Sequence, residues 1–141
     1  MSPRTIAVSA MLTIAACSGG QPAPIAYDAD TCARCHMQIS DRRYSAVLVT
    51  RRGRSLKFDS IECLREYAAR PETAGEIASM WVASFAQPGL MLRSDMARFA
   101  DLGASKAPMG ATHGWVAVAS VGDAAMIGID STKLRTWTQL P

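Results

Sequence analysis

Hydrophobic and polar positions divide the chain into short segments of different period. From Tyr44 to Thr50 the run YSAVLVT is aliphatic and β-branched, RRGR supplies a turn at Gly53, and SLKF resumes an extended pattern. Two such runs on either side of a glycine turn predict a β-hairpin. The next stretch, FDSIECLREYAARP, changes period, with Ile61, Leu64 and Ala68 recurring at helical spacing. Asp59, with Glu62 three residues later, fits a capping box that opens this helix, and Pro71 ends it. Cys63 then falls in the first turn, where the helix dipole favours a thiolate.

In the second half, IASMWVASF (Ile77 to Phe85) predicts a buried strand that stops before Pro88-Gly89. SDMARFADLG predicts a short helix capped by Ser94 and stopped at Gly103, and GWVAVASV another strand. Between them KAPMGATHG is a loop carrying Met109 and His113. After Gly122, DAAMIGIDSTKLRTWTQL predicts a helix broken at Gly128 and a short terminal strand. No internal repeat is visible. Strands followed by a helix, then strands and helices mixed, place the chain in the α+β class.

The amino terminus follows a different logic. MSPRTIAVSAMLTIAACSGG has Arg4 as its one early charge and an apolar run from about Thr5 to Ala16. That run is shorter than the roughly 20 residues a membrane span needs, and it suits the core of a secretory signal. Ile14-Ala15-Ala16-Cys17 looks like a lipobox, which makes Cys17 the expected lipidation site. The following SGGQPAPIAYDAD is rich in Gly, Pro and small residues and reads as a tether. The expected organisation is a lipoprotein signal over 1–16, a lipidated tether over 17–29, and one domain over 30–141.

Cleavage leaves about 125 residues, enough for one domain with its own core, and a net charge of about +2. So small a net charge, without a concentrated basic face, argues against a nucleic-acid partner. Arg51, Arg52, Arg54 and Lys57 read as a solvated turn rather than a lipid-binding patch. The chain lacks a phosphate-binding loop, HExxH, GxSxG and a recognisable carboxylate pair, so an enzyme is open only through its cysteines. With Cys17 assigned to lipid, Cys32, Cys35 and Cys63 remain. An odd number in an oxidising compartment leaves a thiol unpaired or metal-bound.

The hexapeptide CARCHM, Cys32 to Met37, admits four readings. Cys32-Cys35-His36 satisfies the attachment rule for a c-type haem, although small c-type domains are helical and this motif precedes a hairpin. A thioredoxin-type disulfide wants its CxxC after a strand and opening a helix, and here the tether precedes it. Structural zinc needs four ligands, available as Cys32, Cys35, Cys63 and either His36 or His113. Cu(I) selects soft thiolate and thioether ligands. If residues 35–37 are extended, Cys35 and Met37 project from one face and His36 from the other. Met109, flanked by Pro and Gly in its loop, is then the best-placed third ligand, whereas Met80, Met91 and Met126 read as core filling.

CHM, then DRRYSAVLVTRRGRSLKFDSIECLREYA, APMG and GDAAMIGIDSTKLRTW, resemble the NosL family of nitrous-oxide-reductase accessory lipoproteins from about Thr31 to Leu140. The Cys-x-Met element, Phe58-Asp59 ahead of the helix and Pro108-Met109-Gly110 carry the likeness. The resemblance implies a non-enzymatic copper chaperone, lipid-anchored in the cell envelope and facing the periplasm. It also implies a fold of two related ββαβ halves, similar to the organomercurial lyase's. The cargo would be one Cu(I), handed to a recipient cuproprotein or an ABC-type membrane complex. Carried over by position, Cys35 and Met37 are the metal ligands, with Met109 as third. His36 stands where the family usually has glycine, and Cys63 is an addition.

Overall fold

The structure is a computed structural model and describes residues 20–106, 108 and 112–141. Its central strand is β1 (Ala46–Thr50), which turns at Gly53 into β2 (Ser55–Phe58) as the sequence predicts. Gly53 sits at φ +79°, the left-handed region that glycine enters without a side-chain penalty. β1 pairs antiparallel on both edges, with Ala46 opposite Phe58 of β2 and opposite Val82 of β3 (Ile77–Ala83). Ala46, Val47 and Leu48 are all fully buried, which is why this strand reads as an apolar run and not as an alternation.

Helix α1 (Ile61–Ala68) follows β2 and brings Ile61 and Leu64 into the core. Its cap differs from the expected one. Ser60, extended at φ −146°, is the capping residue, and its Oγ accepts the Cys63 N–H at 3.1 Å. With Ser60 as cap the third helical position is Cys63, which cannot complete a capping box, and Asp59 is free to turn elsewhere. Glu62 instead accepts the Trp115 N–H on the second half of the molecule, at 3.1 Å. Pro71 ends α1 and also begins the short α2 (Pro71–Ala74), where its missing N–H costs no helical bond. β4 (Met91–Arg93) completes a sheet of order β2-β1-β3-β4.

The helix expected over 94–103 is not formed. Ser94 to Met96 make a turn, and Arg98–Asp101 is strand β5, paired antiparallel with β6 (Trp115–Val118). Ala97 and Phe99 pack in the main core, Ala100 packs on the other face with Tyr44 and Val116, and Arg98 is exposed, a two-residue alternation of faces that strand pairing rewards. Tertiary pairing thereby overrides the helical propensity of Met, Ala and Arg. α3 (Val121–Met126) follows β6, and Gly128 breaks the chain there at φ +75°. The expected terminal strand is reduced to one bridge, Phe99 to Arg135, between two short 3-10 turns.

β1, β2, α1, β3 run in the order ββαβ, with β1 between its two partners. β5, β6, α3 and the Arg135 bridge repeat that order with β5 between. The helix caps repeat too, since Ser120 Oγ accepts the Asp123 N–H at 3.1 Å. The two related halves are therefore present although the sequence shows no repeat. A parallel bridge between Ser84 and Ala117 joins the sheets. Phe58, Ile61, Leu64, Val82 and Phe99 form the main core shared by both halves.

Met80 and Met91 are half-buried, but Met126 is 74% exposed and fills no core. It ends a six-residue helix of which Ala124 alone is buried. The described part of the expected tether, residues 20–29, lies along the domain. Ile25 and Tyr27 pack on the core, and the Gly20 carbonyl accepts from Ser79 Oγ and Trp81 Nε1. No helix among the described residues is long and apolar enough to cross a membrane.

Candidate metal centre

Residues 31–38 fold back on themselves. Thr31 bridges Gln38, the Cys32 N–H donates to the Met37 carbonyl at 2.8 Å, and the His36 N–H to the Cys32 carbonyl at 3.0 Å. The Ala33 N–H donates to Lys57 O at 2.8 Å, tying this loop to β2. Asp30 and Lys57 join in an ion pair beside it, at 2.5 Å. The loop is closed, so the extended condition under which Cys35 and Met37 would share one face is not met, and His36 occupies φ +62°. A left-handed residue is where glycine is cheapest, so His36 carries backbone strain at the position for which the resemblance implies glycine. Its side chain is exposed.

The turn drives Cys32 into the core, fully buried, and leaves Cys35 half-buried above it. β2 ends at Phe58, so Asp59 and, through the Ser60 cap, Cys63 arrive from the other side. One ligating atom each from Cys32, Cys35, Asp59 and Cys63 lies within 4.8 Å of all the others. Thiolates bound at about 2.3 Å in trigonal or tetrahedral array lie roughly 3.8–4.0 Å apart. A contraction of an ångström or less therefore closes the cluster on one ion. Cys35 Sγ donates to Asp59 Oδ2 at 3.4 Å, while the buried Asp59 Oδ1 has no hydrogen-bond partner. All three thiols are free.

The cluster holds its negative charge unevenly. The Cys63 thiol donates to Cys32 and, against burial and with help from the N–H groups of Cys35, Asp59 and Arg34, lowers the Cys32 pKa to about 6. The same bond, then burial and the Asp59 charge, push Cys63 well above the ordinary thiol range. The hydrogen bond between the two thiols thus favours a thiolate at Cys32 over the one expected at Cys63 from the helix dipole. Cys35 is raised by burial first, against the Met37 N–H that points at its sulfur.

Met37 is 38% exposed. It lines a pocket of about 330 Å³ together with Tyr44, Asp59 and Pro108. Cys17 and Met109 lie outside the described residues. His113 is elsewhere, its Nδ1 2.7 Å from Asp101 Oδ2 and its ring against Trp115. Neither histidine joins the cluster, and the fourth donor is Asp59, which the sequence reading did not count as a ligand. Its signal was the Phe58-Asp59 pair. A haem thioether at Cys32 would have to form inside the core against Ile39, Phe58 and Ile61.

No family model matches the chain, and no curated protein matches it in sequence. Among solved structures, the crystal structure of the copper chaperone NosL from Shewanella denitrificans superposes with a TM-score of 0.66 at 14% identity. The match covers 84% of this chain and 94% of that one, so the two proteins share a fold across nearly the whole domain.

Proposed function

We propose that this chain is a Cu(I) carrier, not an enzyme, which takes the ion at Cys35 and Met37 and passes it to a recipient cuproprotein. The observation that carries this reading is the convergence of three free thiols and a carboxylate within 4.8 Å, with an exposed thioether in a pocket that the same carboxylate lines. Soft sulfur donors in low number suit Cu(I) above the hard cations. A site at the surface leaves room for an acceptor's ligand to bind before the donor's leaves, which is what transfer requires. The shared fold with a protein titled a copper chaperone supports the same reading. The lipobox supports attachment to a membrane through lipid on Cys17, with the domain facing the periplasm. Maturation of nitrous oxide reductase, with an ABC-type complex as the partner, is the delivery route the resemblance favours.

Titration of the reduced protein with Cu(I) against a competing chelator tests the assignment. One equivalent binds, and Cys35→Ser weakens it. Full-strength binding by Cys35→Ser refutes it. A structural zinc site is the second reading, favoured by the oxygen donor Asp59 and the burial of Cys32 and Cys63. Zinc that purifies in stoichiometric amount and whose removal unfolds the protein would select it.

A further inference from the structure

Cys35 belongs to two environments at once. Outward, its neighbour Met37 shares a pocket with Asp59 and is open to solvent. Inward, Cys32 is fully buried and Cys63 nearly so, both within 4.8 Å of the Cys35 sulfur. An ion held by Cys35 and Met37 alone would therefore rest beside two unused thiols. The carboxylate makes the same point independently. Asp59 is 8% exposed and its Oδ1 has no donor, a costly arrangement for a buried charge that a cation among the sulfurs relieves. The second half of the molecule serves as an internal control. Its equivalent helix is capped by Ser120 in the same way, but Ala119 and Asp123 stand where the first half has Asp59 and Cys63. The fold requires neither Asp59 nor Cys63 at those places.

Resting on the copper reading above, we propose that the ion has two positions in this protein. The outer one, at Cys35 and Met37, is where it is exchanged; the inner one, at Cys32, Cys35 and Cys63 with Asp59 alongside, is where it is held. Cys35 remains bound throughout. As the ion moves inward the bond to the Met37 thioether breaks and bonds to the Cys32 and Cys63 sulfurs form. Each sulfur that still carries a proton gives it to solvent as it binds, and copper stays Cu(I), so no electron is gained or lost. Charged sulfurs hold the ion more tightly than a neutral thioether, which makes the inner position the stable one and the outer one the kinetic gate.

The test separates affinity from exchange rate and counts sulfur neighbours by X-ray absorption of the Cu(I)-loaded protein. Cys32→Ser and Cys63→Ser are each expected to weaken binding by about tenfold or more and to lower the sulfur count. Met37→Ala should slow both uptake from and release to a chelator, while the loaded protein keeps its sulfur count. Because the buried cysteine variants can fail to fold, the protein carrying Met37→Ala and Met109→Ala supplies a second measurement with every cysteine intact. Persistence of all-sulfur coordination there supports the inner position, and its loss overturns it. Folded Cys32→Ser and Cys63→Ser proteins that bind as tightly as the parent, while Cys35→Ser does not, overturn the inner position and spare the copper reading. Indifference of binding to all three cysteines overturns both, as does zinc that Cu(I) cannot displace.

Discussion

Replacing Asp59 by Asn tests the cluster through stability, because the substitution has opposite consequences with and without metal. In the metal-free protein Asp59 Oδ1 is buried without a partner and its charge faces the cysteine sulfurs. Asn keeps an oxygen for the Cys35 thiol, now 3.4 Å from Oδ2, and turns an amide donor toward sulfur in place of the orphaned oxygen. An unsatisfied buried acceptor costs about 1–3 kcal/mol, so Asp59→Asn should stabilise the metal-free protein by up to that amount. For a domain of this size each kcal/mol moves Tm by about 3–5 °C, giving a rise of roughly 3–15 °C in chelator. With Cu(I) the sign reverses. An ion at 1,000 times its Kd stabilises the native state by about 4 kcal/mol, and the variant loses part of that increment with the weakened site. Differential scanning calorimetry of both proteins, with chelator and with Cu(I), reads both effects. A variant whose metal-free Tm falls while its copper increment is intact would make Asp59 a structural residue and refute the argument.

Three further outcomes follow from the fold. Ser60→Ala removes the acceptor of the Cys63 N–H and should cost about 1 kcal/mol in denaturant unfolding, whereas Asp59, outside the cap, should show no such loss. Gly114→Ala places a Cβ 2.5 Å from the Gly103 carbonyl oxygen, and backbone cannot swing aside, so a loss of about 1–3 kcal/mol is expected in the same assay. The Lys57 hydrogen bond, with the Ala26 N–H, lowers the Asp30 pKa. A depressed carboxylate pKa stabilises the fold above the unfolded value near about 4, and that stability is lost as pH falls through the folded value. Asp30→Asn should therefore be less stable than the parent at neutral pH, and the gap should close in acid melts; a gap independent of pH would show the pair contributes nothing through ionisation.

Local periodicity determined the hairpin at Gly53, the helix bearing Cys63 and the strands at 77 and 115, because the residues that specify them are neighbours in sequence. The same reading placed a helix over 94–103, where Phe99 instead pairs with Ala117 of β6 and with Arg135, partners 18 and 36 residues away that no local pattern reveals. At the metal centre the sequence supplied the three cysteines and Met37 but left their arrangement open. Cys35 and Met37 would share one face only in an extended segment; a closed turn with His36 left-handed instead leaves Cys35 half-buried and Met37 exposed in a pocket it shares with Asp59. Asp59 became a candidate ligand only because the helix took Ser60 as its cap and released the preceding carboxylate toward the thiols. The chain thus carries its donor types in its sequence, since softness is a property of a side chain. Which donors meet depends on how a turn at 32–37, the end of β2 and the first turn of α1 pack together, and distance in space exists only once the chain has folded.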